Sequence, residues 1–346
     1  MPPLRSERRR FLDRRRNPFF AHAEAEYLVA FRDGRPVGRV SAHVDHRLNE
    51  LHGNAWGLFG FFECVDDPGV ARALLEAAEA WLRGRGRDRI VGPMDFTLNH
   101  ACGMLVEGHD RPPQILEAWH PPHYRRLLEG HGMTKAMDLL KWRLHISDRS
   151  KILPVIWRLH ERLESDHGIR IRHFRPRELE REVERFLGVY HAAWEDHWGF
   201  VPLTRAEVAA YARELRPLLD PHWAMLAERE GETVGAALTL PDYNQVLARL
   251  RGRLLPFGWL RALVARRRID SVRVFALGVV PEHQHSGVAA ALYVEHFRMA
   301  ERTPQKWGEM GWILETNTAM NRGMEALGGR VVKRHRLYEK PLGARR

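Results

Sequence analysis

The sequence predicts an α/β protein made of two related halves, and three features of the 346-residue chain carry this prediction. An apolar, β-branched run that ends at Val280 is followed by a glycine-containing turn and a helical stretch rich in alanine and leucine. Residues 312–338 then continue as a strand, a short helix and a strand. Two similar strand–turn–strand patterns, in residues 27–38 and 224–235, lie 197 residues apart. A chain of this length is long enough for two domains.

The turn after Val280 has the composition of an anion-binding loop. The pattern Gln284-x-x-Gly287-x-Ala289 follows the strand and opens the helix. In such a loop, successive backbone N–H groups and the positive end of the helix dipole face one point, where a pyrophosphate is stabilised. Glycine and alanine keep side chains away from that point. The pattern therefore predicts a site for a doubly charged diphosphate.

The elements downstream of this helix are also visible in the sequence. Residues 312–317 form an apolar run that ends in a polar turn, which predicts a strand. From Asn317 to Gly328 the pattern predicts a short helix that glycine ends. Residues 331–338 predict a last strand. The order is therefore strand, loop, helix, strand, helix and strand.

This order, with Gln284-x-x-Gly287-x-Ala289 after the first strand and Asn317 opening the second helix, resembles the C-terminal half of a GNAT (GCN5-related N-acetyltransferase) domain. The resemblance implies a mixed, mostly antiparallel central sheet flanked by helices. It also implies an N-acyltransferase that uses acyl-CoA, either acetyl-CoA or a longer thioester, and polarises the thioester with a backbone N–H group of the strand. The cofactor-binding residues that it implies are Leu277, Val279, Gln284, His285, Ser286, Gly287, Val288, Ala289 and Asn317.

The matching hairpins indicate a tandem repeat of one domain. The offset of 197 residues relates Gly34 to Gly231 at the hairpin turn, and it recurs near the ends of both halves. Between these points the offset changes to 218, so the second half carries about 21 additional residues before its loop, and the first half regains them later. We therefore expect two GNAT-like domains, in residues 1–148 and 149–346.

The first domain is expected to be degenerate and to lack its opening elements. The offset of 218 places Asp66, Asp67 and Pro68 opposite residues 284–286. Carboxylates there would repel a pyrophosphate, and proline removes one N–H donor. Only the second domain is therefore expected to bind acyl-CoA. The arginine-rich segment before Tyr27 is expected to be a solvated tail.

The second half opens with its own series of elements. The periodicity predicts a helix, a strand, a helix and a hairpin, in residues 151–167, 169–174, 179–194 and 223–240. Thr204-x-x-Glu207 is a capping box that opens a further helix before the hairpin. Trp194, Trp198 and Phe200 are expected to form the acceptor side of the pocket, although core packing explains them equally well.

The additional residues of the second half, 251–268, mix arginines with leucine, phenylalanine and tryptophan and contain no acidic residue. Such a segment suits a membrane interface, and it also suits contact with an acyl chain. The alternative is that its apolar side packs on the first domain while the arginines face water. We expect from this segment that the acceptor amine is hydrophobic or lipid-like.

Charge and cysteine content restrict the partners and the location. The net charge of +11 favours anionic partners, which include CoA, an anionic membrane surface and RNA. No apolar run is long enough to span a bilayer, no signal-peptide pattern is present, and only Cys64 and Cys102 occur. We expect a cytoplasmic protein that could also bind peripherally to the inner face of the membrane. His283 and His285 lack further ligands at metal-binding spacing, so no metal is predicted.

Three residues are candidates for proton transfer. Asp242 follows a core strand at the gap where an acceptor would enter, Glu315 ends the strand that diverges from the CoA strand, and Tyr338 lies on the last strand. Each also has a structural explanation; Asp45, the repeat partner of Asp242, suggests a turn cap. In the family, a tyrosine four residues before the helix-ending glycine protonates the leaving thiolate. Met324 stands there and cannot donate a proton.

The leading hypothesis is an acyl-CoA-dependent N-acyltransferase that acts on an amine. One alternative is an aminoacyl-tRNA-dependent transferase, because paired GNAT domains and a basic charge also suit that class. The intact loop at residues 284–289 argues against it, and nucleic acid is not expected as a partner. The other alternative is a non-catalytic CoA-binding protein, which Met324 motivates.

Overall fold

The computed structural model describes residues 5–195, 197–250 and 258–343. Twelve strands of this part of the chain form one sheet, in the order β1-β2-β3-β4-β12-β6-β11-β10-β9-β8-β7, with β5 paired to β12 beside this path. Strands and helices are numbered separately in chain order. The first half contains α1 (Arg5–Leu12), β1 (Ala23–Arg32), β2 (Arg35–Asp45), α2 (His46–His52), β3 (Trp56–Cys64), α3 (Pro68–Arg83), β4 (Arg89–Gly92), β5 (Met104–Glu107), α4 (His123–Gly130) and β6 (Thr134–Leu144).

The second half repeats the hairpin, strand, helix, strand, helix and strand of the first. Its elements are α5 (Pro154–His167), β7 (Ile169–His173), α6 (Leu179–Trp194), α7 (Arg205–Leu215), β8 (Ala224–Arg229), β9 (Glu232–Pro241), α8 (Asn244–Leu250), α9 (Gly258–Ala265), β10 (Ser271–Val279), α10 (Val288–Arg302), β11 (Trp307–Leu314), α11 (Thr318–Ala326) and β12 (Arg330–Pro341). Among the strands described, β3–β4 and β10–β11 pair in parallel and the other pairs are antiparallel. The predicted fold class is confirmed.

The last strands of the two halves are exchanged. Strand β6, which ends the first half, pairs with β11 of the second half. Strand β12, which ends the second half, pairs with β6 along most of its length and with β4 through residues 338–341. One sheet therefore runs through both halves, and the division at residue 148 stays a prediction.

Helices cover both faces of the second half of the sheet. Met225 and Ala227 pack with α5 and α10 in one core cluster, whereas Ala224 and Leu226 pack with α6 and α7 in another. Because neighbouring residues of a strand point to opposite faces, α10 and the α6–α7 pair lie on opposite sides of the sheet.

The N-terminal segment is a folded part of the protein, and the expectation of a solvated tail is wrong for residues 5–12. Helix α1 places Phe11 against Phe61, Phe96 and His100, with ring centroids 6.0, 5.0 and 4.8 Å apart. Aromatic contacts of this kind bury area and add a favourable quadrupole interaction. Arg5, Arg9 and Arg10 of this helix are exposed, and the packing comes from Phe11 at its end.

A histidine links this region to the second half. His22 lies 3.0 Å from Asp45 and 3.2 Å from Glu207, which begins the first turn of α7. Burial alone would lower the pKa of His22, but its hydrogen bonds to the two carboxylates outweigh burial and raise the pKa to about 9. The imidazole is therefore charged at neutral pH and bridges the halves.

The segment between β4 and α4, residues 93–122, crosses from the first half to the second. The Ile115 N–H donates to Asp242 at 2.9 Å, and the side-chain amide of Asn244 donates to the Pro113 carbonyl at 2.8 Å. Arg273 donates to the Ile115 carbonyl as well. This crossing segment corresponds to the compensating insertion that the repeat offsets locate in the first half, and it forms one wall of the site described below.

Buried charges fix the crossing segment in place. The Lys333 ammonium lies 2.9 Å from Glu117 and 3.1 Å from Glu309, and Lys141 lies 3.6 Å from Glu117. Burial by itself would raise the pKa of Glu117, but Lys141 and Lys333 hold it well below its usual range. Burial lowers the pKa of Lys141 to about 8. Removing one member of such a cluster leaves an uncompensated charge in the interior.

Candidate active site

Strands β10 and β11 separate at the centre of the sheet. They pair in parallel only from Ser271 to Val274 on β10 and from Trp307 to Met310 on β11. At the same point the pairing of β10 with β9 shifts register at Phe275, which forms a bulge. Among the described residues, the remainder of β10 therefore has no strand partner on its β11 side, and a gap opens between the two strands.

Backbone donors face this gap. The Val280 N–H donates to the Val234 carbonyl of β9 at 3.0 Å. Backbone N–H groups alternate between the two sides of a strand. The N–H of Gly278 therefore also points to β9, whereas the N–H groups of Leu277 and Val279 point into the gap. To polarise a thioester in the gap, as predicted, the N–H groups of Leu277 and Val279 must point in this direction.

The loop from Val280 to Gly287 leads into α10 with backbone amides left free. The N–H groups of His283, Gln284 and Ser286 donate to carbonyls within the turn. Within the part of the chain that the structure describes, no hydrogen bond is formed by the N–H groups of residue 285 or residues 287–290. Gly287 has φ of 82° and caps the helix without a side chain. These amides are unbonded donors at a helix N-terminus, which is the arrangement that binds a pyrophosphate. His285 is exposed, whereas Val288 is buried and a Cβ atom on Gly287 would lie 3.6 Å from the Leu159 side chain.

A glycine of the neighbouring strand lets the helix start close to the sheet. A Cβ atom on Gly235 would lie 2.6 Å from Cγ1 of Val288, the first residue of α10. Carbon atoms in contact are about 3.5–4.0 Å apart, so any larger residue at position 235 would push the loop away from β10.

The corresponding loop of the first half is shorter, which corrects the residue correspondence expected from the sequence. Cys64 pairs with Gly38 as Val279 pairs with Gly235, so the two strand ends are equivalent. Three residues then precede α3, against eight before α10. Residues 284–286 therefore have no counterpart in the first half, and Asp66, Asp67 and Pro68 do not stand opposite them.

The helix that follows this shorter loop caps itself. The Asp67 carboxylate accepts the N–H groups of Gly69 and Val70 at 2.7 and 3.3 Å. The N–H donors of α3 that would face an anion are thus bonded to a side chain of the same turn. The prediction that the first half does not bind a nucleotide is still supported, but for different reasons. The first half lacks the loop, and its helix is capped by its own side chain.

A cavity of about 1320 Å³ starts at the gap and extends between the two halves. Its volume exceeds the roughly 300–1,000 Å³ of pockets that hold drug-sized ligands. Residues 273–277 and 310–313 form its wall at the gap, and the crossing segment, strand β3 and helices α1, α6, α7, α8, α9 and α11 form most of the remainder. The walls are mostly apolar, so the cavity suits a long apolar substrate.

The three predicted proton-transfer residues, Asp242, Glu315 and Tyr338, are not among the described residues that line this cavity. Asp242 accepts the N–H groups of Ile115 and Asn244 through Oδ1, and burial raises its pKa to about 6. Asp45 caps α2 through the same kind of bond to Arg47. The shared geometry supports the turn-cap explanation that the repeat suggested.

Glu315 and Tyr338 are likewise engaged elsewhere. The Glu315 carboxylate lies 2.7 Å from the Lys135 ammonium and accepts the Asp138 N–H at 3.1 Å. Tyr338 is buried in the core of the first half and donates to Glu129 at 3.1 Å. Strand exchange explains this position, because it carries residues 338–341 to β4 and away from α10. Their catalytic roles stay predictions that the geometry does not favour.

The predicted cofactor-binding side chains have local roles. Asn317 caps α11 by accepting the Met320 N–H at 3.1 Å, and its amide lies 3.2 Å from His197. The Ser286 hydroxyl donates to the His283 carbonyl at 2.7 Å. Gln284 and His285 are exposed on the loop. Any contact of this loop with a diphosphate would thus come first from its backbone.

Several polar groups of the site were missed by the sequence reasoning. Tyr293 of α10 is buried, and its hydroxyl lies 3.3 Å from the Met320 sulfur and 3.8 Å from the Met310 sulfur. Both methionines line the cavity. Sulfur is a weak acceptor, so this hydroxyl has no strong partner in the part of the chain that the structure describes, and burial raises its pKa. Tyr293 lies in the second turn of α10, and the sequence there shows only the periodicity of a helix, which does not indicate a functional side chain.

Two imidazoles of the crossing segment also line the cavity. Burial lowers the pKa values of His100 and His120 to about 3, so both rings are neutral. His120 accepts the Leu105 N–H at Nδ1, so its proton is on Nε2. His100 Nδ1 lies 3.1 Å from the Thr97 hydroxyl, and the ring can accept a proton at Nε2 when Nδ1–H donates to Thr97.

The aromatic residues expected on the acceptor side divide between cavity and core. Trp194 lines the cavity. Trp198 packs on Trp56 with ring centroids 5.3 Å apart, and Phe200 is buried against Tyr190. Within residues 5–195, 197–250 and 258–343, no group of three or more His, Cys, Asp or Glu residues is placed to hold a metal ion.

Solved structures share this fold over nearly the whole chain. A tandem GNAT protein from the clavulanic acid biosynthesis pathway has a TM-score of 0.56 and 11% identity, over 94% of this chain and 85% of that one. A GCN5-related N-acetyltransferase from Sphaerobacter thermophilus has a TM-score of 0.52 and 17% identity, over 92% of this chain and 81% of that one. At these identities the likeness concerns the fold alone. No model of a protein family matches the chain.

Two relatives are similar in sequence. The bacterial ceramide synthase of Caulobacter vibrioides is 35% identical over 347 residues, which cover 98% of this chain and 90% of that protein. The chain belongs to its family, and its fold is that of tandem GNAT proteins. Protein YghO of Escherichia coli is also 35% identical, over 99% of this chain and 88% of that protein. The prediction of a GNAT-type N-acyltransferase is confirmed.

Proposed function

We propose that this GNAT acyltransferase transfers the acyl group of an acyl-CoA to the nitrogen of a long-chain, lipid-like amine. The observation that carries the proposal is the cavity of about 1320 Å³, which starts at the gap between β10 and β11 and has mostly apolar walls. A short acyl group with a small polar amine would leave much of such a cavity unfilled.

The name of the Caulobacter relative supports the same acceptor class. A ceramide is the amide of a long-chain amine and a fatty acid, so a ceramide synthase joins two alkyl chains. A cavity walled by both halves of this chain has the size and the apolar surface for substrates of that kind.

The free amides of the α10 loop support acyl-CoA as the co-substrate. They lie at the N-terminus of α10, behind a glycine with a left-handed φ and no side-chain cap, which is the arrangement that binds a pyrophosphate. Leu277 and Val279 direct backbone N–H groups into the gap, where a thioester carbonyl would be polarised. The new C–N bond forms as the C–S bond breaks, the amine gives up a proton, and the thiolate takes one.

One described side chain is a candidate for a proton transfer. His100 also lines the cavity, but burial lowers its pKa to about 3, so its ring is too weak a base to take the proton of the amine. Tyr293 offers a hydroxyl behind Met310 and Met320 for the departing thiolate, in place of the family tyrosine that Met324 replaces. We expect Tyr293→Phe to lower kcat by about 10²-fold, within the usual range for a lost acid–base group, with KM little changed. An unchanged kcat would exclude this role.

Helix α9 supports contact with an anionic membrane surface. Trp259, Leu260, Leu263 and Val264 are between 43 and 63% exposed, so the alternative in which this segment packs on the first half does not hold for them. Residues 251–257 of the same segment lie outside the described residues. Ala262 of α9 lines the cavity, so the helix would deliver a lipid substrate directly from the surface. None of the described helices is long and apolar enough to cross a bilayer.

A thermal-shift panel of acyl-CoAs from acetyl to palmitoyl tests the proposal, combined with release of free CoA thiol in the presence of sphinganine. We expect a stabilisation that grows with chain length, because longer chains bury more apolar surface, and thiol release with sphinganine that exceeds release with ethanolamine. No shift with any acyl-CoA or with free CoA would contradict the proposal. Salt-sensitive tRNA binding in its place would favour the aminoacyl-tRNA-dependent alternative.

Three variants locate the co-substrate. Gly287→Asp places a carboxylate among the free amides and should abolish the shift with CoA. Gly231→Asp is its matched control, because Gly231 also has a left-handed φ, of 88°, and lies in the β8–β9 turn with open space around it. Both variants carry similar backbone strain, but only the first should lose the shift. Asp66→Ala in the first half should leave the shift intact.

A further inference from the structure

A second, smaller pocket lies on the α6–α7 side of the sheet. Its walls include Val183 and Leu187 of α6, Val208 and Ala212 of α7, and Leu238 of β9. The pocket has a volume of about 60 Å³. This is several times the roughly 10–15 Å³ that one water molecule needs, so the pocket is large enough to hold part of a ligand.

The few polar groups of this pocket already bond to one another. The Tyr190 hydroxyl donates to Asn99 Oδ1 at 2.6 Å, and the Tyr211 hydroxyl donates to the Asn99 carbonyl at 2.8 Å. The Asn99 side-chain amide donates to the Val201 carbonyl at 3.0 Å. Water needs two to four polar partners to occupy a cavity, and here both tyrosine protons are already donated and the rest of the lining is apolar. The pocket is therefore suited to an apolar occupant.

The pocket shares a wall with the large cavity. Asn99, Tyr190, Tyr211, Leu215 and Phe275 line both spaces. Phe275 is the bulged residue at which β10 separates from β11. The pocket therefore adjoins the large cavity at the bulge of β10, so an alkyl chain that lies in the cavity would meet an apolar space there.

We infer that the α6–α7 pocket holds the far end of a linear alkyl chain of a substrate. This inference rests on the proposed function for the position of the reacting carbon. The chain belongs either to the acyl thioester or to the amine, since both are alkyl chains that end near the gap. Chain-length preference is then set by the residues that close the pocket, above all Leu187 and Ala212.

Ala212→Phe fills the pocket, and Ala209→Phe is the matched control. Ala209 lies on the exposed side of the same helix, so the same substitution there adds a ring in solvent. The first arm of the experiment measures kcat/KM with acyl-CoAs from acetyl to palmitoyl and sphinganine as the fixed amine. The second arm uses palmitoyl-CoA and linear amines from butylamine to hexadecylamine.

We expect Ala212→Phe to lower kcat/KM at least tenfold for the long members of one arm and less than twofold for the short members. The arm that shows this dependence identifies the chain in the pocket. Ala209→Phe should match the wild-type protein in both arms. An equal effect of Ala212→Phe on all lengths in both arms, or no effect, would overturn the inference.

Leu187→Ala provides a second route if Ala212→Phe does not fold. It enlarges the pocket, so the preferred length in the same arm should move upward by two or more carbons, and an unchanged preference would contradict the inference. If the wild-type protein releases no thiol with any substrate pair, the proposed function fails. The pocket is then judged by titration with palmitate alone, where the wild-type protein should bind at least tenfold more tightly than Ala212→Phe, and equal affinities would overturn it.

Discussion

The contact between Gly278 and Trp194 yields the sharpest test of how the gap is built. A Cβ atom on Gly278 would lie 2.3 Å from Cζ3 of Trp194 and 2.9 Å from Cβ of Ala193. Carbon atoms in contact are about 3.5–4.0 Å apart, so Gly278→Ala requires the indole to retreat by about 1.2 Å or more. Overpacking of this kind costs about 1–3 kcal/mol.

The same displacement should also reduce activity. Trp194 and Leu277 both line the cavity at the gap, and a misplacement of about 1 Å in an active site can cost about 10²-fold in rate. We expect kcat/KM for thiol release to fall at least about tenfold, and the free energy of unfolding from urea titration to fall by about 1–3 kcal/mol.

Gly188→Ala is the control for this substitution. Gly188 lies in α6, the helix that carries Trp194, and a Cβ atom there would have nothing within 4 Å. Alanine is favoured over glycine inside a helix by about 0.5–1 kcal/mol, so this variant should be slightly more stable and fully active. If Gly278→Ala were as stable and active as the wild-type protein, the close packing of the indole on β10 would be refuted.

Three further predictions concern charges. Glu117→Gln leaves two buried lysine ammonium groups undercompensated and should lower the free energy of unfolding by about 3–5 kcal/mol, measured by urea titration, whereas a loss below about 1 kcal/mol would contradict the buried cluster. Glu315→Gln breaks a pair whose Lys135 side chain is 40% exposed, so it should cost less than about 1 kcal/mol and leave thiol release intact; lost activity at unchanged stability would restore its catalytic role. Because the pKa of His22 is raised to about 9, its stabilising effect is complete below about pH 6.5 and is lost as pH rises through 9. Urea midpoints between pH 6 and pH 10 should therefore fall more steeply for the wild-type protein than for His22→Gln, and parallel profiles would argue against the bridge.

The sequence allowed accurate prediction wherever the signal was local. Helix α6 occupies residues 179–194 as the periodicity predicted, and the Thr204 capping box opens α7 with both of its hydrogen bonds. Strand β10, the loop and α10 also follow the prediction, because alternating apolar residues and one left-handed glycine determine them with little help from the rest of the chain.

Prediction was weaker wherever pairing joins distant segments. The sequence of strand β12 predicts a strand but not its partner, so it does not reveal the exchange that removes Tyr338 from the gap. The crossing segment has little periodicity, and Glu117 is explained only by lysines from β6 and β12. Polar residues of the cavity such as His100 were missed for the same reason, since their neighbours are distant in sequence.

The mutual exchange of β6 and β12 has a consequence for biogenesis. The ribosome synthesises the first half before the second, yet β4 can pair with β12 only after residues 330–341 have been synthesised. Neither portion should reach a native state in isolation, while two separately expressed fragments divided at residue 148 should assemble into a working enzyme. In this respect the two halves depend on each other for folding as the subunits of an obligate heterodimer do, although they belong to one polypeptide.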